Sequence, residues 1–161
     1  MTQALAGRHA LVTGGGRGIG AAIAAALAGA GARVTLLGRT SAELEATAAT
    51  LPGGALAVTA DVTDAGQVER AFAKARAAAG EIEILVNNAG LAKSRPLAKT
   101  DEAFWRSMLE VNLTGAFHCT RAALPAMLAA NRGRIVSVAS TAGLRGYSYC
   151  TAYCAAKHGL I

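Results

Sequence analysis

The pair Tyr153 and Lys157, in the segment TAYCAAKHGLI, has residue types and a spacing that could move a proton. Residues four apart share one face of a helix, so both side chains could reach the same cleft. A free phenol has a pKa of about 10, and a nearby ammonium group favours its ionised form. Such a pair can act as a general acid or base toward a carbonyl or an alcohol. The spacing alone is common in helices, so other motifs must support this interpretation.

A second chemical signal is the glycine-rich stretch ALVTGGGRGIG, which joins an apolar run to an alanine-rich one. Gly14, Gly18 and Gly20 stand where a strand should turn into a helix. Glycines there let the backbone approach a pyrophosphate, and the amino end of the helix attracts the anion. The alternative is a tight strand-to-helix turn without a ligand. The position between a strand and a helix favours a dinucleotide site.

The end of the second predicted strand, RVTLLGRTS, indicates which dinucleotide would bind. In a dinucleotide fold, a carboxylate near this point binds the ribose 2′-hydroxyl of NAD, whereas an arginine suits the 2′-phosphate of NADP. Here Gly38 stands at the expected acidic position and Arg39 follows, with Arg17 in the glycine loop as a second cation. An arginine offers several donors to a phosphate. The sequence therefore predicts NADP, with NAD as the alternative; both arginines could instead be ordinary surface residues.

The elements that must position these residues alternate along the chain. Short apolar runs are each followed by a longer, alanine-rich stretch with a helical pattern, which predicts βαβ units and a parallel sheet. Right-handed crossovers then give a Rossmann-like, doubly wound α/β fold in three layers. The predicted strands are His9–Thr13, Arg33–Leu37, Leu56–Thr59, Ile82–Asn87 and Arg134–Val138. The predicted helices are Gly18–Ala28, Ser41–Thr50, Asp64–Ala78, Asp101–Ala130 in two pieces, and one from Thr151 onward.

Local residue types in these helices lead to further predictions. Ser41 and Asp64 have the residue types of helix N-caps. Asn112 lies inside a predicted helix, where its amide competes for backbone hydrogen bonds. A helix irregularity or a functional role is therefore expected at Asn112. The run AAIAAALAGAGA predicts a helix that is packed on both sides.

The motifs, in their order along essentially the whole chain, resemble those of the short-chain dehydrogenase/reductase family. The glycine loop has the spacing TGxxxGxG, the fourth strand ends in ILVNNAG, and Ser140 precedes Tyr153 by 13 residues. The resemblance implies a catalytic tetrad of Asn112, Ser140, Tyr153 and Lys157, in which Ser140 and Tyr153 contact the substrate and Asn112 helps to hold a proton-relaying water. The expected cofactor-binding residues are Thr13, Gly14, Gly16, Arg17, Gly18, Ile19, Gly20, Arg39, Asp61, Val62, Asn88, Ala89, Gly90, Tyr153 and Lys157.

The resemblance also implies which residues contact each part of the cofactor. It implies that Asp61 and Val62, in the segment ADVTD, contact the adenine. It implies that the NNAG turn lines a ribose and that Lys157 bonds the hydroxyls of the nicotinamide ribose.

The function implied is hydride transfer between a nicotinamide cofactor and a ketone or secondary alcohol. The motifs NLTGAF, ASTAG and KHGL are most similar to reductases of 3-oxoacyl thioesters, such as 3-oxoacyl-carrier-protein and acetoacetyl-CoA reductases. Sugar, steroid and aryl-alcohol dehydrogenases stay open. The family implies a homo-oligomer, a dimer or a tetramer. Its members continue past the Tyr-x-x-x-Lys helix, so residues 1–161 are expected to form a single NAD(P)-binding domain, C-terminally truncated and missing its last strands. The alternative is an impaired fragment that only binds a dinucleotide or a partner.

Composition argues against several other classes of protein. The net charge of +6 is dispersed and has no interleaved aromatic residues, so nucleic acid is not an expected partner. No stretch reaches the roughly 18 apolar residues of a membrane helix, and the chain does not start with a signal-peptide pattern. A cytoplasmic protein with reduced thiols is expected. Cys150, Cys154 and His158 repeat every four residues, but a metal site is not expected because no fourth ligand is evident.

Overall fold

Five short apolar segments form the strands, and longer segments with helical periodicity connect them. The computed structural model describes residues 3–161. The strands are β1 (His9–Thr13), β2 (Arg33–Gly38), β3 (Leu56–Thr59), β4 (Ile84–Asn87) and β5 (Arg134–Ser137). The α-helices are α1 (Gly18–Gly29), α2 (Ser41–Thr50), α3 (Ala65–Ala79), α4 (Glu102–Leu109), α5 (Gly115–Ala129) and α6 (Thr151–Leu160). Shorter elements are the 3₁₀ turns Leu97–Lys99 and Thr141–Gly143 and the π-helical segment Glu110–Thr114.

The strands form one sheet in the order β3-β2-β1-β4-β5, and each of its pairings is parallel. The strand order reverses between β1 and β4, which is where a doubly wound sheet opens a crevice at the carboxyl ends of its strands. β5 lies at one edge, and its four residues are exposed. This topology confirms the predicted Rossmann-like α/β fold. No helix within residues 3–161 is long and apolar enough to cross a membrane.

Side chains that alternate along the strands fill two separate cores. On one face of the sheet, α3 and α5 cover Leu11, Leu37 and Leu85. On the other face, α1 and α2 cover Val12 and Leu36. Each core consists almost entirely of aliphatic residues, in keeping with an aromatic content of 4%. The predicted three-layer arrangement is therefore present.

The two predicted N-caps have different outcomes. Asp64 caps α3, because its Oδ1 accepts a hydrogen bond from Gln67 N at 2.9 Å. The predicted cap at Ser41 is wrong, because Thr40 occupies the N-cap position of α2. Ser41 is already helical, and its Oγ donates to Glu45 Oε1 at 2.7 Å.

Packing on both sides of α1 is also a wrong prediction. The helix buries one stripe, formed by Gly20, Ala24 and Ala28, while Ala22 and Ala25 are exposed. Alanine is tolerated on either face of a helix, so its abundance does not indicate how many faces are covered. Three strand boundaries shift as well, and the first is the end of β2, which extends one residue further than predicted, to Gly38. β4 begins at Ile84 and not at Ile82, because its pairing with β1 starts there, and β5 ends one residue early.

His9, in β1, is a fully buried titratable group outside the cleft. Its Nδ1 lies 2.7 Å from Gly80 O, and its Nε2 lies 2.9 Å from Thr35 Oγ1. A carbonyl oxygen only accepts, so Nδ1 carries the hydrogen and Nε2 accepts from the Thr35 hydroxyl. Burial lowers the pKa of His9 below its ordinary value. The unfolded chain therefore binds this proton more readily than the folded one.

We expect acid to destabilise the fold through His9. The contribution is fully present above about pH 6.5, the ordinary histidine pKa, and is lost as pH falls toward the lower folded pKa. In urea titrations, the free energy of unfolding should fall by up to about 1.4 kcal/mol per pH unit across that window. His9→Gln should show a smaller difference between about pH 7.5 and about pH 5.5. Equal pH dependence in the variant and the wild type would show that His9 is not the responsible group.

Candidate active site

A cleft of about 360 Å³ opens where β1, β2, β3 and β4 end. It is lined by residues that follow these strands, by the amino end of α1, by α2 and by Val111. This position agrees with the general rule that ligands bind outside the carboxyl ends of parallel strands. The predicted cofactor residues in its lining are Gly14, Gly16, Arg17, Gly18, Ile19, Gly20, Arg39, Asp61, Val62, Asn88, Ala89 and Gly90.

The glycine loop has the shape of an anion cradle. Gly14 has a left-handed backbone with φ of +64°, and a Cβ on Gly20 would lie 2.2 Å from Gly14 O. α1 can therefore start directly against the loop. In the part of the chain that the structure describes, Arg17 makes no side-chain capping bond to α1. The N–H groups of its first turn can therefore bind a phosphate.

Thr13 supports the cleft and does not line it. It is 2% exposed, and its Oγ1 accepts from Asn88 N at 3.0 Å and from Ala89 N at 2.9 Å. The same hydroxyl donates to Val86 O at 3.3 Å. The structure thus gives Thr13 the position of a brace between β1 and the NNAG turn, and its predicted contact with the cofactor stays a prediction.

Two cations and two anions lie together in the cleft. Arg17 Nη1 is 3.7 Å from Glu43 Oε1, and Arg39 Nη1 is 4.0 Å from Asp61 Oδ2. The arginine side chains are 83% and 70% exposed. Exposed ion pairs of this length stabilise a fold little. Either guanidinium can therefore exchange its carboxylate for a phosphate, which offers it several oxygen acceptors.

Six further residues of the lining are not among the predicted cofactor-binding residues. They are Gly38, Thr40, Glu43, Leu44, Ala60 and Val111. Gly38 and Ala60 could have been found, because they stand where β2 and β3 end. Glu43 reaches the cleft because α2 packs on the glycine loop, where a Cβ on Gly16 would lie 3.0 Å from Glu43 Cβ. That contact between distant segments has no local signal in the sequence.

Lys157 is buried beside Tyr153. It is 5% exposed, its Nζ donates to Val138 O at 2.7 Å, and the same atom lies 5.9 Å from the centre of the Tyr153 ring. Burial lowers the pKa of Lys157. Val138 lies two residues before Ser140. The lysine therefore ties α6 to the segment that contains Ser140.

Ser140 begins the 3₁₀ turn Thr141–Gly143, and its Oγ accepts from Ala142 N at 3.1 Å. A hydroxyl that accepts one bond can still donate its hydrogen. The turn packs against α6 so closely that a Cβ on Gly143 would lie 2.6 Å from Lys157 O. The structure thus brings together the segments that contain Ser140, Tyr153 and Lys157. All three residues lie outside the lining of the cleft itself.

Asn112 lies in the π-helical segment, which confirms the predicted helix irregularity. The N–H of Gly115 bonds to Glu110 O, five residues back. Asn112 is 1% exposed, its Oδ1 accepts from Leu91 N at 3.1 Å, and its Nδ2 donates to Leu91 O at 2.8 Å. The amide therefore anchors the loop that follows the NNAG turn. A role in holding a water stays a prediction.

The cysteine and histidine repeat near α6 does not gather into a metal site. Cys150 precedes the helix, Cys154 is buried, and His158 Nδ1 lies 2.8 Å from Cys154 O. Among residues 3–161, no three side chains of His, Cys, Asp or Glu are arranged to hold a metal ion.

Known proteins are similar to this chain in sequence. The sequence model of the family described as short chain dehydrogenase matches residues 8–161. The chain is 41% identical, over 100% of its length, to 64% of 2-(S)-hydroxypropyl-CoM dehydrogenase 3 from Xanthobacter autotrophicus. It is 37% identical, over 96% of its length, to 64% of the 3-oxoacyl-acyl-carrier-protein reductase from Escherichia coli K12. It is 39% identical, over 98% of its length, to 62% of D-beta-hydroxybutyrate dehydrogenase from Cupriavidus necator.

The three-dimensional structure has a similar relative. A crystal structure from Sinorhizobium meliloti 1021, described as a short-chain alcohol dehydrogenase, has a TM-score of 0.94 at 41% identity. The match covers 99% of this chain and 65% of that one. The chain spans about 64% of the length of the first curated relatives it matches. The match to the family model over residues 8–161, together with the agreement in sequence and fold, shows that the chain belongs to the short-chain dehydrogenase family.

Proposed function

We propose that the protein is an NADP-preferring oxidoreductase that interconverts a ketone and a secondary alcohol, with 3-oxoacyl thioesters as its substrate class. The main support is the bond from Lys157 Nζ to Val138 O, which ties α6, with its buried cation beside the Tyr153 ring, to the segment after β5 that contains Ser140. The thioester class is supported by the relative named as a 3-oxoacyl-acyl-carrier-protein reductase, at 37% identity. Cytoplasmic location and homo-oligomerisation stay predictions.

A nicotinamide dinucleotide suits the residues of the cleft. The glycine loop is open at Gly18, where an added Cβ would have no described heavy atom within 4 Å, and the close contact of Gly20 with Gly14 O places the start of α1 beside it. The N–H groups at the start of α1 would hold the pyrophosphate, and Arg39 and Arg17 would hold a 2′-phosphate. When bound, the cofactor supplies or accepts the hydride at the substrate carbon.

The remaining chemistry belongs to this chain's own side chains. During reduction, Tyr153 Oη gives its proton to the substrate oxygen, and the Ser140 hydroxyl donates a hydrogen bond to that oxygen. The ammonium of Lys157, partly withdrawn from water, stabilises the phenolate that Tyr153 becomes. Proton uptake from solvent restores the phenol. Oxidation of an alcohol follows the same steps in reverse.

Turnover with both cofactors tests this proposal. We expect the purified chain to oxidise NADPH with a 3-oxoacyl thioester or a small ketone, and kcat/KM to be at least about tenfold lower with NADH, a difference of about 1.4 kcal/mol. A preference for NADH would contradict the cofactor assignment. Binding of NADPH without turnover of any carbonyl in the panel would instead support a dinucleotide-binding module.

The matched variants are Arg39→Ala and Arg106→Ala. Arg39 lines the cleft, whereas Arg106 is an exposed arginine paired with Glu102 on α4. Arg39→Ala should lower the NADPH-to-NADH ratio of kcat/KM by about tenfold, since one charged donor to the 2′-phosphate is removed. Arg106→Ala should leave the ratio unchanged. An unchanged ratio in Arg39→Ala would remove this residue from cofactor selection.

A further inference from the structure

The turn that follows β3 forms one wall of the cleft. Asp61 and Val62 line it. Within the turn, Asp61 N donates to Gln67 Oε1 at 3.0 Å, and Asp61 Oδ1 accepts from Thr63 N at 3.0 Å. These bonds fix Asp61 from the side of β3 and α3. In the peptide group that follows Val62 they fix the N–H of Thr63 but leave the carbonyl oxygen of Val62 without a partner from the turn.

α5 holds that peptide group from behind. The Nδ1 atom of His118 lies 3.0 Å from Val62 O. Because a carbonyl oxygen only accepts, Nδ1 carries the hydrogen and donates. The two segments are also in close contact, since a Cβ on Gly115 would lie 2.6 Å from Val62 Cγ2. The imidazole of His118 and the lack of a side chain on Gly115 together fix the distance between α5 and the wall.

The same helical element also reaches the cleft from another side. Val111, in the π-helical segment that leads into α5, lines the cleft. The wall at Val62 and the surface at Val111 are thus both positioned by one helical element, the π-helical segment together with α5. Without the His118 donor, a part-buried carbonyl loses its partner, and the turn gains freedom to move relative to Val111.

We infer that His118 is a positioning residue for the adenine end of the dinucleotide: its hydrogen bond to Val62 O holds the wall that the adenine contacts. This inference rests on the proposed function, because it requires a dinucleotide in the cleft. His118 lies outside the lining of the cleft and would act only through the wall at Val62, so its effect should be selective for ligands that contain adenosine.

The test uses two halves of the cofactor as separate probes. Adenosine 2′,5′-bisphosphate reports on the adenine end, and reduced nicotinamide mononucleotide reports on the other end. In His118→Phe, which keeps a ring but loses the donor, we expect the Kd of adenosine 2′,5′-bisphosphate to rise about tenfold. The Kd of the mononucleotide should stay within about twofold. His118→Asn, which places an amide donor near the position of Nδ1, should recover most of the lost affinity.

His158→Phe is the matched control. It removes another imidazole whose Nδ1 faces a backbone carbonyl, Cys154 O, outside the cleft. Neither Kd should change in His158→Phe by more than about twofold.

Should His118→Phe lack the wild-type circular dichroism spectrum, His118→Leu takes its place. Equal losses for both probes, or no loss for adenosine 2′,5′-bisphosphate, would overturn the role of His118 alone. Failure of the wild type to bind adenosine 2′,5′-bisphosphate and NADPH would overturn the proposed function, and this inference with it.

Discussion

Tyr153→Phe is expected to lower kcat by about a thousandfold, within the range for loss of a general acid or base. The variant keeps the ring beside Lys157 Nζ but loses the proton that the substrate oxygen receives. Binding of NADPH should stay within about twofold, because the removed hydroxyl lies outside the lining of the cleft. Stopped turnover with intact NADPH fluorescence titrations would support the assigned role. Retention of more than about a tenth of kcat would exclude Tyr153 as the proton donor.

Tyr147→Phe is the matched control for that experiment. Tyr147 lies in the same segment between Ser140 and α6, and its hydroxyl bonds Thr141 Oγ1 at 3.0 Å and Arg145 Nε at 2.8 Å. These bonds lower the pKa of Tyr147. A tyrosine chosen only for an acidic phenol would therefore be Tyr147. We expect kcat in this variant to stay within about threefold of the wild type, since no buried cation accompanies Tyr147.

Gly20→Ala should destabilise the fold by about 3 kcal/mol, at the upper end of the usual cost of overpacking. The added methyl group would lie 2.2 Å from Gly14 O and 2.5 Å from Asn88 Nδ2. Both neighbours are held by the sheet, since Asn88 Nδ2 donates to Thr13 O at 2.9 Å. The melting temperature should fall by about 6–12 °C for a chain of this size. NADPH affinity should fall as well, because α1 must move away from the loop.

Gly29→Ala controls for the general effect of adding a methyl group to α1. No described heavy atom lies within 4 Å of a Cβ placed on Gly29. Alanine is a better helix former than glycine by about 1 kcal/mol. The melting temperature should therefore stay the same or rise. A loss of stability in Gly29→Ala equal to that in Gly20→Ala would mean that contact with the glycine loop is not the cause.

The sequence predicts an element well where the local pattern of apolar residues alone determines its type and its ends. β1 and β3 begin and end at the predicted residues, because each is a short β-rich run that stops where the chain leaves the sheet. β4 is shorter than predicted. Its first residue is set by pairing with Ala10 on β1, and register between strands distant in sequence leaves no local pattern. Thr40 and Ser41 are equally good N-cap residues, so composition could not choose between them.

The candidate site is predictable where a motif lies at the end of a strand. Every glycine of the loop that was predicted to bind cofactor lines the cleft. The bonds from the Thr13 hydroxyl to the NNAG turn could not be predicted, because a hydroxyl that braces a turn has no distinct sequence signal. Asn112 could be recognised as irregular from its poor helix propensity. Its partner Leu91 could not be recognised, because that contact joins segments 21 residues apart.

The π-helical segment also sets the rotational phase of everything that follows it. α5 buries Gly115, Cys119, Ala123 and Met127, one stripe at four-residue intervals. Each residue of an α-helix turns the chain by about 100°. Loss of one residue from Glu110–Thr114 would rotate that stripe away from the sheet and turn His118 away from Val62. The length of the segment, more than the identity of most of its residues, therefore determines which face of α5 packs on the sheet and whether His118 faces Val62.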